Sequence, residues 1–253
     1  MSGADRRPLP RLGAVSTVDH PSRLVSDGGP GFGWRVASPL LAVVLAFVLA
    51  IVGAAILSLA PLSDDALGAV LTFATSLLLL AFAVLLWRSL PAHNERWAVR
   101  PPEDVRAIGL GVALGLALLV GAAIIVASGA AIDPTVERRL DDIELVGSEP
   151  WQLGLLVISL VVLAPLGEEL LFRALLLRGL VRRIRFWPAA LLSSLAFASA
   201  HIDSYMLWPR AISLLGTGIV LALIYRRWGY WASVAAHATV NLVAAVALVV
   251  QST

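Results

Sequence analysis

Cysteine is absent from the 253 residues. That excludes disulfides, thiolate metal sites and thiol nucleophiles. Lysine is absent too: all nineteen basic residues are Arg, and against seventeen acidic ones they leave a formal charge of +2. The pI of 9.6 therefore reflects a small Arg excess rather than a basic patch, and nothing argues for nucleic acid as a partner. Charge of either sign is scarce, at 14% against about 25% in soluble domains. Hydrophobic residues make up 59% and the mean hydropathy is +0.87. This balance excludes a soluble enzyme with a single apolar anchor. It predicts an all-α, polytopic membrane protein.

Stretches free of Asp, Glu and Arg place the spans. They are Val36 to Ser63, Ala66 to Trp87, Ala107 to Ile132, Pro150 to Gly167, Phe186 to Ile202, Ala211 to Tyr225, and Trp228 to Thr253. Each approaches or exceeds the length a bilayer demands, about 17–25 residues, except the sixth, which is short. Seven transmembrane helices are expected.

The Arg pattern tests that count independently, because cytoplasmic loops collect positive charge. The N-terminal tail carries Arg6, Arg7, Arg11, Arg23 and Arg35. Further clusters are Arg88 to Arg106, Arg178 to Arg185, and Arg226 with Arg227; the alternate loops hold only Arg138, Arg139 and Arg210. The alternation predicts a multi-pass protein of the cell membrane, N-terminus cytoplasmic and C-terminus external. If the sixth span were false, Arg226 and Arg227 would fall on the wrong side. Seven of the eight Trp, all but Trp97, lie at or near span ends, where indole favours the interface.

Residues 1–33, rich in Pro, Gly, Ser and Arg, read as a disordered cytoplasmic tail rather than a cleavable signal peptide. Residues 34–149 hold three helices and an acidic external loop, and 150–253 hold the remaining helices. The loop acids, Asp133 to Glu149, read as a solvated face. His20 and His93 lie in polar segments and read as solvated too. Gly28 to Gly33 has no strand before it and is no phosphate loop. Gly109, Gly111 and Gly115 open a membrane helix and read as a close packing face.

Charges within spans cost several kcal/mol, so they are rare and usually functional. Three segments of the second half concentrate polar groups. In Ala164 to Arg173, Glu168 and Glu169 sit amid apolar residues. Glu169 and Arg173 are spaced i, i+4 and can pair on one face, while Glu168 points about 100° away and is free to face a cavity as a general base. The opposing reading is a helix that emerges early into water, but Ala174 to Leu177 continue apolar. In Phe197 to His201 the two named residues share a face. A lone His near a span end is more often an interfacial residue. In His237 to Asn241 a polar pair lies deep in an apolar helix; such pairs also serve simply to join helices. At 1.5 Å per residue, Glu168 lies about 15 Å from Arg178 and His237 about 15 Å from Arg227. His201 lies about 24 Å from Arg185 by the same rise, part of it expected to be loop. The three segments can therefore converge in the cytoplasmic half or near the midplane.

Together, Glu168-Glu169-Leu170-Leu171-Phe172-Arg173, Phe197 to His201 and His237 to Asn241 resemble the CPBP family, the CAAX prenyl proteases and bacteriocin-processing enzymes, also called the ABI family. The family's Glu-Glu-x-x-x-Arg, Phe-x-x-x-His and His-x-x-x-Asn motifs appear in order. The resemblance covers roughly residues 150–247. It implies an intramembrane endopeptidase acting on a membrane-associated peptide or protein. By resemblance Glu168 would activate water, His201 would assist, and His237 and Asn241 would stabilise the oxyanion. Glu169, Arg173 and Phe197 would support them.

His201, His237 and Glu168 are also a two-His, one-carboxylate donor set of the kind zinc takes. No His-Glu-x-x-His helix is present, however, and Asn241 suits an oxyanion better than a metal, so the metal-free form is favoured. Two other classes compete. A non-catalytic membrane partner would keep the polar cluster as a structural network. A transporter or proton relay would use the same groups, but they form one cluster rather than a path across the membrane.

Overall fold

In a bilayer an apolar segment must satisfy its backbone internally, and the helix does so within one segment. The computed structural model describes residues 31–89, 105–141, 149–201 and 207–251, and among them there is helix and no strand. The elements are α1 (Phe32–Leu57), α2 (Asp64–Ser89), α3 (Arg106–Ile132), α4 (Pro134–Asp141), α5 (Pro150–Val181), α6 (Phe186–Ser199), α7 (Trp208–Trp228) and α8 (Tyr230–Gln251). The tail up to residue 30 with His20, the loop bearing His93 and Trp97, and part of the acidic loop lie outside the described residues.

Among the described residues, five helices are long and apolar enough to cross a membrane: α1, α2, α3, α5 and α7. α6 is apolar but has 14 residues, which rise about 21 Å against a hydrocarbon core of about 30 Å. It ends at Ser199 rather than Ile202 as expected, and His201 lies in the turn beyond it. No loop takes up the 24 Å expected between Arg185 and His201: helix fills most of that interval. α7, by contrast, is longer than expected. It starts at Trp208 with Pro209 in its first turn, and ends with Arg226 and Arg227 in its last, where cations oppose the negative end of the helix dipole. Gly229, at φ +85°, then turns the chain directly into α8. Only glycine takes that conformation without strain.

α1, α2 and α3 expose large apolar side chains such as Val44, Leu45, Ile51, Leu85, Val120 and Ile124. Continuous apolar surface on this scale suits lipid rather than water. α5 is different. Half of its most apolar stretch is buried within the protein, against 11% for α1 and α3. It starts with Pro150 in its first turn and a reciprocal cap between Glu149 and Gln152. It then packs against α1, α2, α6 and α8, and its residues Leu170 to Leu177 sit at the centre of the main apolar core.

Close approach comes from glycine. A Cβ on Gly111 would collide with the carbonyl of Ala232, and one on Gly115 with Ala236 and Thr239. The expected packing face of α3 is therefore the seat of α8. Gly109, grouped with them in the sequence, has open space beside it. Gly167 lets α2 approach α5 in the same way, at Leu80. In the acidic loop, Asp133 accepts bonds from Thr135 Oγ1 and N–H at 2.7 and 2.9 Å and from Trp208 Nε1 at 3.3 Å. The Thr135 hydroxyl, then its N–H, hold the Asp133 carboxyl below its usual range. The short helix α4 that follows does not stand out in the acidic sequence.

Candidate active site

α5 carries Glu168, Glu169 and Arg173 through the interior, far from either of its ends. Glu169 and Arg173 are fully buried and form the expected i, i+4 pair at 2.9 Å. Charges so enclosed need several partners, and both have them. Glu169 Oε1 accepts from His237 Nδ1–H at 3.0 Å, and Glu169 Oε2 accepts a short hydrogen bond from Ser233 Oγ. Arg173 Nη2 donates to the Gly218 carbonyl on α7 at 3.3 Å, and its guanidinium lies 4.5 Å from the Phe197 ring centre. Gly218 is itself a close-contact glycine against Ser194 of α6.

Glu168 makes none of these bonds. It is buried, and its Oε2 has no hydrogen-bond partner. That oxygen faces His201 Nε2 at 3.7 Å and His237 Nε2 at 3.8 Å. Both distances exceed a direct hydrogen bond. Each imidazole is fixed through its other nitrogen: His237 Nδ1 on Glu169, and His201 Nδ1 on the Phe197 carbonyl at 2.8 Å. In the neutral rings this leaves both Nε2 atoms bare and directed at Glu168. Phe197 joins the parts, its ring 4.6 Å from that of His201, 5.7 Å from that of His237 and 5.5 Å from that of Phe172.

Asn241 lies one turn beyond His237, and its Nδ2 donates to the Leu160 carbonyl at 2.8 Å. The reason lies in α5, which widens to π-helical turns over Ser159–Leu163 and again over Glu169–Leu177. At the end of the first wide turn the Ala164 N–H bonds to Ser159 O, five residues back. The next residue is Pro165, which has no N–H. Leu160 O thus loses the donor of an α-turn to Ser159 and the donor of a π-turn to proline. Asn241 supplies the replacement and retains one N–H.

The structure therefore brings Glu168, Glu169, Arg173, Phe197, His201 and His237 into one cluster, with Asn241 on its edge. Among the described residues no three of His, Cys, Asp and Glu are grouped so as to hold a metal ion. The sequence reading missed Ser233, which lies one turn before His237, so that Ser233, His237 and Asn241 follow at i, i+4 and i+8 on one face of α8. That spacing was the available signal. It also missed the Gly218 carbonyl, for which no side chain could have been the signal.

Residues 150–243 match the family model described as type II CAAX prenyl endopeptidase, Rce1-like. The resemblance carried by the three motifs is thus borne out over the segment that holds them, and residues 1–149 lie outside the match. No curated protein and no solved structure matches the chain.

Proposed function

We propose that the chain is an intramembrane endopeptidase that hydrolyses a peptide bond of a membrane-embedded substrate with water activated by Glu168. The observation that carries this reading is the buried, unpartnered Glu168 Oε2 facing two imidazole nitrogens at 3.7 and 3.8 Å. Such spans suit a water that donates to Glu168 Oε2 and to the bare Nε2 of His201. The family match over the same residues supports the peptidase reading.

Glu168 takes a proton from water as its oxygen attacks the scissile carbonyl, with His201 orienting the attack. The tetrahedral oxyanion is met by His237 Nε2 in the doubly protonated ring, whose Nδ1–H still donates to Glu169, and by the remaining N–H of Asn241. As the C–N bond breaks, the amine leaves with the proton held on Glu168. Glu169 and Arg173 fix His237 and take no proton in this scheme. No metal takes part in these steps.

We place the chemistry on residues 150–253 and read residues 34–149 as the three-helix seat that supports it. Seven crossings with a cytoplasmic N-terminus and an external C-terminus follow from the Arg-rich ends, of which Arg88 on α2 and Arg226 and Arg227 on α7 are examples.

The test is cleavage of a membrane-peptide library by purified protein, wild type against Glu168→Gln. A general base contributes about 10²–10⁴-fold, so the variant should lose cleavage while still inserting and folding. Retained cleavage in Glu168→Gln would overturn the mechanism, and a non-catalytic partner would retain its cellular function with glutamine at this position.

A further inference from the structure

α5 would not hold its shape alone. A π-helical turn is less well bonded than an α-turn and survives where other groups support it. Three side chains from neighbouring helices donate to α5 carbonyls on both sides of Glu168. Asn241 of α8 donates to Leu160 O at 2.8 Å, Tyr230 of α8 to Leu166 O at 2.8 Å, and Ser193 of α6 to Phe172 O at 2.7 Å. Leu166 lies two residues before Glu168, and Phe172 directly precedes Arg173. Tyr230 and Ser193 are both buried, so neither hydroxyl has bulk water as an alternative partner.

We propose that Tyr230 and Ser193 are positioning residues, which pin the α5 backbone at Leu166 and Phe172 so that Glu168 is directed at His201 and His237 while Glu169 turns to Arg173. The geometry explains how adjacent glutamates keep separate environments. Leu166 O is tied towards α8 and Phe172 O towards α6, and the segment between them cannot rotate without breaking one tie. Asn241 extends the same bracing to the Pro165 gap.

Amide hydrogen exchange on the full chain in lipid nanodiscs tests this directly, comparing wild type with Tyr230→Phe and Ser193→Ala. Tyr230→Phe keeps the ring and its contact with Trp231, whose ring centre is 5.2 Å away. Loss of one net hydrogen bond corresponds to about a fivefold to tenfold rise in local opening. That rise is expected over residues 160–173 and not in α1 or α3. Unchanged exchange in both variants, or a uniform rise through all helices, would overturn the proposal. A kinetic arm uses the best-cleaved library peptide, and this arm alone rests on the peptidase reading. Misplaced Glu168 should lower kcat about tenfold with KM unchanged, because orientation rather than binding is lost. A change in KM alone would also overturn it. If wild type cleaves nothing, the peptidase reading fails, and the exchange result still decides the bracing.

Discussion

His237 Nδ1 lies 3.0 Å from Glu169 Oε1, and this bond divides the labour between two adjacent glutamates. It fixes the ring so that Nε2 turns to Glu168. The two carboxylates should therefore fail differently when changed. Removing one member of a buried ion pair costs about 3–5 kcal/mol, because the partner charge stays behind. Glu169→Gln should accordingly lower the unfolding temperature in detergent sharply, with Arg173 left unpaired. Glu168→Gln should leave that temperature near wild type. Equal thermal losses in both would contradict the assignment.

Ser233 should register in stability before activity. Its hydroxyl donates to the ionised Glu169, and hydrogen bonds to charged groups are worth about 1.5–3 kcal/mol. Ser233→Ala should lower stability by that order, and Ser233→Thr, which keeps the donor, should recover part of the loss. Chemical denaturation of the purified protein would show both.

The two histidines differ in exposure. The His201 side chain is 26% exposed and His237 4%. His201→Ala should therefore cut cleavage about a hundredfold or more, the usual scale for a positioned acid–base group, with little thermal effect. His237→Ala should lose both activity and stability, since Glu169 then loses one of its three partners, keeping Arg173 and Ser233. Paired melting and rate measurements separate these cases.

Cleavage should persist in a strong chelator. The proposed step uses Glu168 to activate water directly, and the Asn241 amide is engaged with Leu160 O. Loss of activity on chelation, with recovery on adding zinc, would instead assign His201, His237 and Glu168 as ligands.

Gly115→Leu should dislodge α8, because even a Cβ there meets the Ala236 backbone. Overpacking of this kind costs about 1–3 kcal/mol. Gly121→Leu, on the same helix with open space beside it, should be close to neutral. Thermal melts of the two variants provide the comparison.

Much of the site could be read from the sequence because charge inside an apolar span is expensive. Glu168, Glu169, Arg173, His237 and Asn241 stand out against their surroundings for that reason alone. Ser233, Ser193 and Tyr230 do not, since serine and tyrosine are ordinary in membrane helices and only their partners reveal their use. The wide turns of α5 were hidden for a related cause. Pro165 removes one donor, but whether the chain kinks, breaks or widens there depends on Asn241, 76 positions further on. The early end of α6 was equally hidden, because no charged residue interrupts the sequence between Arg185 and Asp203.

The close-contact glycines of α3 and α5 bear on how freely the halves of such a protein can be exchanged. α8 rests on Gly111 and Gly115, and α5 meets Leu80 at Gly167. A chimera taking residues 150–253 from this chain and its first helices from another would bring the motifs intact. It would still need a hydrogen-sized side chain at the two α3 positions, and a backbone equally close at Leu80. Where those are missing, α8 and α5 would be held apart, and His237 would no longer reach the two glutamates.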